Sequence, residues 1–167
     1  MPAGSRKRRR RKQMLRLRPP RADEGPKLTE LCLRSKASHG YDEAFMAACR
    51  EELTVDPGGG GLIAVAELNG ECAGVAEMSL EGEKAELCKL FVDPAHHGKG
   101  VGRALFDWAR EEAAERGARV LALDADPSAA AFYEKMDARM VGQSPSGSIP
   151  GRVLPRFELP LAATASA

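Results

Sequence analysis

From Met14 onward the chain moves between two apolar rhythms, one of period two and one of period near 3.6. Leu15 and Leu17 alternate with Arg16 and Arg18 ahead of Pro19-Pro20, which predicts a short strand. Pro26 opens a helix to about Ser38, with Leu28, Leu31 and Cys32 on one face, and His39-Gly40 ends it. A second helix is predicted from about Asp42 to Leu53, with Phe45, Met46 and Cys49 turned inward. Asp56-Pro57 and the glycines at 58–61 mark a loop.

The pattern then becomes that of strands. Leu62 to Leu68 is an apolar run that stops at Asn69-Gly70, a strong two-residue hairpin signal, and Glu71 to Leu80 reads as the returning partner. Glu81-Gly82 turns the chain again, and Ala85 to Val92 completes a meander closed by Asp93-Pro94. Val101, Leu105, Trp108, Ala109 and Ala113 recur at helical spacing, so a helix runs from Gly102 to about Arg116, with Gly117 as its stop. Val120 to Leu123 is a short strand of the buried kind. Pro127 begins a helix to about Met136, and Ala138–Gly142 and Arg156–Leu161 are the last strands, on either side of the turn-rich stretch 144–151. The order β-α-α-β-β-β-α-β-α-β-β describes a mixed α/β domain over residues 14–167, with a six- to seven-stranded sheet flanked by four helices.

Length and composition narrow the classes. The 167 residues suit one domain with its own core. No run approaches 18 apolar residues, and no apolar segment follows the basic N-terminus, so neither a membrane span nor a secretory signal is expected and a cytoplasmic protein is. The cysteines at 32, 49, 72 and 88 form no CxxC pair, and with only three histidines present no metal site is expected. Reduced thiols suit their irregular spacing better than a disulfide framework.

The net charge of +1 conceals two unlike parts. Residues 6–12 are seven consecutive basic residues, and 1–13 show no apolar periodicity, which predicts a disordered basic tail. Such a tail suits a nucleic-acid contact or a targeting patch, or carries no function if synthesis starts at Met14. Without the nine basic residues of 1–18, the body has 16 basic against 24 acidic residues. That balance argues against nucleic-acid binding except through the tail, and it favours a cationic small-molecule or peptide partner.

One segment carries chemistry: AELCKLFVDPAHHGKGVGR, residues 85–103. A strand ends, and after a short loop Gly98, Gly100 and Gly102 open a helix. Unpaired N–H groups at a helix start, the helix dipole, and Lys99 and Arg103 together suit a pyrophosphate. The stretch lacks G-x-x-x-x-G-K-[ST], and Arg103 stands where a dinucleotide fingerprint needs its last glycine, so both of those readings fail. On its own the glycine loop is equally compatible with a helix start that holds no ligand.

HHGKGVGRALFDWA resembles the [QR]-x-x-G-x-[GA] pattern of the GNAT superfamily of acetyl-CoA-dependent N-acetyltransferases, with His97 where Gln or Arg is usual. AAAFYEKMDARMVG, residues 129–142, resembles the A-x-x-F-Y-x-x-x-G-F helix of the same family, with Asp137 for the glycine and Ala138 for the Phe. The element order matches over about residues 14–161. RSKA-x-x-GYD and SGSIPGR look like patterns of an uncharacterised bacterial subgroup, which lends no substrate.

The resemblance implies the GNAT fold, with splayed central strands whose exposed edge pairs with pantetheine amides. It implies acetyl-CoA as cosubstrate, bound by the backbone of Leu90, Phe91 and Val92 and by the loop His97, Gly98, Lys99, Gly100, Val101, Gly102 and Arg103. Val92 would supply the amide that polarises the acetyl carbonyl, and Tyr133 of the FY pair the proton for the leaving thiolate. Glu86 stands in the register of a general-base glutamate, and Asp124 and Asp126 follow the fifth strand, where the family often binds cofactor through Asn. Asp126 also reads as a helix cap, Glu86 as a solvent-facing strand residue, and Cys88 as a buried structural thiol. The acceptor, a primary amine of a small molecule or peptide, would meet Lys36, His39, Tyr41, Ser146, Ser148 and Arg152. Homodimers are common in the family. Two other functions fit the sequence: a non-catalytic acyl-CoA-binding or regulatory module, and a domain docked on nucleic acid by its tail.

Overall fold

The computed structural model describes residues 13–162. The basic stretch expected to form a disordered tail lies outside the described residues. The strands β1 (Leu15–Arg18), β2 (Leu62–Leu68), β3 (Glu71–Glu81), β4 (Lys84–Val92), β5 (Val120–Asp124), β6 (Arg139–Pro145) and β7 (Val153–Pro160) form one sheet. Its order is β1-β2-β3-β4-β5-β7-β6. All neighbours are antiparallel except β4 and β5, which run parallel. This is the mixed α/β architecture, with seven strands and four helices.

The strand alternation decides which helix covers which face. Ile63, Val65 and Val75 turn to one side, under α1 (Gly25–Ala37) and α2 (Glu43–Leu53), where Leu28, Leu31, Cys32, Cys49 and Leu53 are buried. Ala64, Ala66, Ala76 and Met78 turn to the other, under α3 (Val101–Glu115) and α4 (Ala130–Lys135). There Leu105, Phe106, Ala109 and Ala113 of α3 meet Tyr133 and Met136. Phe106 belongs to this core although the helical spacing pointed to Trp108, which is only half-buried. Phe45 and Met46 of α2 are likewise half-buried, packed on the margin of the core under α1 and α2, with the Phe45 ring stacked on Tyr41.

Local signals place the turns. Asn69 and Gly70 both take positive φ, 53° and 84°, the backbone that a tight two-residue hairpin requires. Asp42 caps α2 by accepting from the Phe45 N–H at 2.8 Å. β1 is tied to α1 by Arg18, whose guanidinium donates to both oxygens of the buried Glu24 at 2.7 and 2.8 Å. Those bonds, set against burial, hold the Glu24 carboxyl down at about 2.

Two features of this fold make room for a site. β4 pairs with β5 only at Lys84, Ala85 and Glu86, so Leu87 to Val92 keep β3 on one side and have no strand on the other. And α3 begins close over the sheet: a Cβ at Gly74 of β3 would stand 2.9 Å from Leu105, from Val101 and from the Phe91 carbonyl.

Candidate active site

The unpaired edge of β4 leads directly into a phosphate-sized loop. After β4, Asp93 accepts from the Ala95 N–H at 3.0 Å and caps one 3₁₀ turn, Pro94–His96. Gly98 and Gly100 then take φ of 73° and 82°, and Gly100 is the residue that precedes α3. The first hydrogen bond of the helix runs from Ala104 N–H to Gly100 C=O at 3.1 Å, so the amides of Val101, Gly102 and Arg103 have no partner within it. A Cβ added at Gly98 or Gly100 would meet nothing within 4 Å, so the space before these amides is open. Lys99 and Arg103 are exposed, and among the described residues neither is in an ion pair. The loop is therefore a backbone-built anion cradle with two uncommitted cations beside it.

A pocket of about 340 Å³ joins this loop to the strand edge. Leu90, Val92, His97, Gly98, Gly100, Val101, Gly102 and Arg103 line it, with Phe132 and Tyr133 of α4 opposite. Lys99, between Gly98 and Gly100, is not among the lining residues. His96 also lines it, with Nε2 3.2 Å from Glu71 and Nδ1 buried without a partner among the described residues.

A second pocket, of about 380 Å³, continues along the same strand edge. It shares Leu90, Ser35, Ala129 and Tyr133 with the first, and adds Leu87, Cys88 and Phe91 of β4. Tyr133 thus stands where the two pockets meet. Its ring packs on Phe106, Phe132 and Phe157, and burial raises its pKa above the ordinary tyrosine value, so the phenol stays protonated. No described residue hydrogen-bonds its hydroxyl, which leaves the O–H free to donate. Just past the Met136 cap of α4, Asp137 takes a φ of 70° at the position where the family pattern has glycine.

The second pocket is bounded by side chains from distant parts of the chain. Asp126 is their centre: Lys36 Nζ and the Tyr41 hydroxyl each donate to its Oδ2 at 2.8 Å. Arg152 donates to the Tyr41 oxygen at 2.8 Å and lies 3.6 Å from Asp126. The rings of Tyr41 and Phe45 stack with centroids 4.0 Å apart, and the Arg152 guanidinium lies 4.8 Å from the centre of Phe45. Burial alone would raise the Asp126 pKa, but the bonds from Lys36, Ser128 and Tyr41 outweigh it and hold the carboxyl well below the carboxylate range. Burial and the bond to Asp126 raise the Tyr41 pKa, so this phenol remains a donor. Asp126 also caps the 3₁₀ turn Pro127–Ala129 through the Ser128 N–H. The structure therefore places Asp126 in the second pocket, as cap and as hub, and not at the glycine loop.

The remaining candidates fall nearby. Ser148 donates to Glu52 at 2.9 Å, His39 lines the second pocket, and Ser146 holds the β6–β7 loop through the N–H of Ile149. Glu86 is the last β4 residue paired with β5, and both its oxygens accept from Arg156, at 2.7 and 2.9 Å. Arg156 also reaches Asp124, at 3.0 Å. No sequence signal marked Arg156, a strand residue of β7 whose partners lie 70 and 32 positions away. Cys88 departs from expectation: it is exposed, because it sits on the stretch of β4 that has no β5 neighbour. Cys32 and Cys49 are the thiols buried in the core, and burial pushes the Cys32 pKa up to about 12.

An open strand edge, a glycine loop at a helix start and a phenol without a described partner thus adjoin one another. The profile of the Acetyltransferase (GNAT) family matches residues 27–138, two thirds of the chain. The chain belongs to the GNAT acetyltransferase family. It is an acyltransferase of the kind that family contains.

Solved structures of the family agree in fold. A GCN5-related N-acetyltransferase from Rhodopseudomonas palustris is 25% identical, with a TM-score of 0.72 over 87% of this chain and 95% of that one. The PaiA N-acetyltransferase from Thermoplasma acidophilum, solved in complex with coenzyme A, is 17% identical, with a TM-score of 0.70 over 88% and 99%. The ribosomal-protein-S18-alanine N-acetyltransferase from Escherichia coli is 22% identical, with a TM-score of 0.67 over 92% and 97%. Comparison with curated protein sequences gives no match. Among the described residues no helix of this acetyltransferase is long and apolar enough to cross a membrane, and no group of His, Cys, Asp or Glu could hold a metal ion.

Proposed function

We propose that the enzyme moves an acetyl group from acetyl-CoA directly to a primary amine of a small molecule or peptide. The observation that carries this reading is the continuity of the open β4 edge with the cradle of unpaired amides. The residues present fit the cosubstrate. The amides at the start of α3, with Lys99 and Arg103, suit a pyrophosphate. The free backbone of Leu90, Phe91 and Val92 suits the two amides of a pantetheine arm, which adds to the edge as a peptide strand would. When bound, acetyl-CoA supplies an activated acetyl thioester.

The chain's own groups then divide the work. The Val92 amide, at the end of β4, would donate to the acetyl oxygen and polarise the carbonyl. The buried, protonated Tyr133 would donate its proton to the departing sulfur. An amine arrives as ammonium at neutral pH and must lose a proton before it can attack. Water at the foot of the strand split would carry that proton toward the carboxylates Glu86 and Asp124. The second pocket, reached from the opposite side of Tyr133, would receive the acceptor. The coenzyme-bound structure of the Thermoplasma acidophilum relative and the acidic excess of residues 19–167 support this arrangement.

Titration calorimetry of the full chain with acetyl-CoA and with CoA tests the first half, and CoA thiol release on a panel of primary amines and peptides tests the second. Micromolar binding together with thiol release on at least one amine is the expected result. Binding without release on any acceptor would make the protein a CoA-binding module. No binding at millimolar acetyl-CoA would overturn the reading.

A further inference from the structure

We infer that Asp124 is the group that receives the acceptor's ammonium, and that Glu86 serves it indirectly, by holding Arg156. The inference rests on the acetyl-transfer reading and adds which carboxylate meets the substrate. Three ionisable side chains meet where β4 and β5 part: Glu86, Asp124 and Arg156. Two are acids and one is a base, so one negative charge is left uncompensated.

Geometry decides where that charge lies. Both Glu86 oxygens accept from Arg156, one from each terminal nitrogen, a fork-to-fork pair that satisfies the carboxylate. Asp124 receives only Nη1, on Oδ1, and its Oδ2 has no hydrogen bond to any described residue. Asp124 lines the second pocket beside Tyr133 and Leu90, and Glu86 does not. The uncompensated charge therefore faces, from the end of β5, a cavity that Tyr133 also lines.

The other charges on this pocket are committed or distant from the split. Lys36 is bound to Asp126, and Lys89 donates to Glu77 at 2.6 Å. Glu52 lies on α2 and accepts from Ser148. An alkylammonium entering a partly enclosed pocket loses water and needs a counter-charge at the reacting end. Asp124 Oδ2 supplies one. Bound there, the ammonium gives up one proton to water, its nitrogen forms the bond to the acetyl carbon as the carbon–sulfur bond breaks, Tyr133 protonates the departing sulfur, and a second nitrogen proton returns to the Tyr133 oxygen. The sum is one amide, one thiol and one released proton.

The test uses the full-length enzyme, acetyl-CoA and the best-used amine of a panel containing ethanolamine, 1,4-diaminobutane, lysine amide and an alanine-initiated peptide. Asp124→Asn is expected to raise the amine KM by about 10- to 100-fold, the span for losing a charge-assisted hydrogen bond. The Kd for acetyl-CoA should stay within about twofold of wild type. Butyltrimethylammonium, which carries the charge but cannot be acetylated, should compete with the amine in wild type and fail to compete in Asp124→Asn. Asp124→Glu, which keeps the charge, should recover part of the loss and so separates a charge effect from misfolding.

Glu86→Gln frees Arg156 to neutralise Asp124, so it should raise the amine KM in wild type and add nothing in the Asp124→Asn background. Turnover with an unchanged amine KM in Asp124→Asn would overturn the assignment alone. An additive double variant would overturn the indirect role of Glu86. Failure of wild type to release thiol with any amine, despite binding acetyl-CoA, would instead overturn the acetyl-transfer reading.

Discussion

The two adjoining pockets share Tyr133 and the open edge of β4, yet they are built of different material. The first is mostly backbone: strand edge, two positive-φ glycines and the bare amides of a helix start. The second is mostly side chains, among them Lys36 and Asp126, which Tyr41 and Arg152 tie into one cluster. In the proposed function, backbone would recognise what every acyl-CoA has in common, and interlocked side chains what distinguishes one acceptor from another. Substitutions in the first should therefore act on cosubstrate binding whatever the acceptor. Those in the second should act on acceptor use and on the order of the β6–β7 loop.

The largest expected effect comes from Gly100→Asp. At a φ of 82° a side chain costs about 1–2 kcal/mol, and the new carboxylate faces a phosphate-binding cradle. CoA affinity should fall by about 300-fold or more. Calorimetry checks it, and an unchanged Kd would remove the loop as the phosphate site. Next is Tyr133→Phe, at the junction. Because the hydroxyl has no described partner, its removal should barely move the thermal midpoint. If it protonates the leaving sulfur, kcat should fall by about 100-fold while KM for both substrates holds. Equal turnover would remove Tyr133 as the acid.

Asp126→Asn gives a smaller effect and tests the division between pockets directly. It leaves Lys36 and Arg152 short of a counter-charge in a mostly buried setting, a loss of about 2 kcal/mol, or about 4–8 °C in Tm. The amine KM should rise by about tenfold, and acetyl-CoA Kd should not move. A rise in that Kd would instead make Asp126 a cosubstrate ligand, the role the family resemblance assigns it.

That contrast in material also explains what could be read from the sequence. A backbone-built site is written in contiguous residues, so His97 to Arg103 and the FY pair of α4 stood out before any coordinates. The side-chain cluster joins residues separated by 85 to 111 positions, and no periodicity connects them. Lys36, Tyr41 and Arg152 could be named as polar candidates, but their convergence on Asp126 could not. The elements follow the same rule. Hairpin, caps and amphipathic helices are local and were legible. β6 is exposed along nearly its whole length and shows no inward alternation, and β7 begins at Val153, ahead of Pro155, so their limits were misjudged. The helix expected from Pro127 divides into a 3₁₀ turn and α4 because Asp126 caps the turn locally. Cys88 was misplaced because a small apolar thiol usually packs inside, and only the parting of two strands exposes it.

Acidification gives the smallest expected effect and compares the pocket cluster with the β1–α1 corner. A carboxyl whose folded pKa is depressed stabilises the fold above its unfolded value, and the contribution is lost as pH falls toward the folded value. For Glu24 that window runs from 4.5 down to about 2, so global stability should begin to decline below about pH 4.5. Asp126 is also held below its ordinary 3.8, so the cluster should remain intact through pH 4. Amide exchange in the loop 146–152, corrected for intrinsic rates, should then show constant protection between pH 7 and 4. Loss of loop protection already above pH 4, with the rest of the fold still protected, would show that Asp126 is not held by Lys36 and Tyr41 in solution. The side-chain basis of the second pocket would then fail, while the backbone basis of the first would stand.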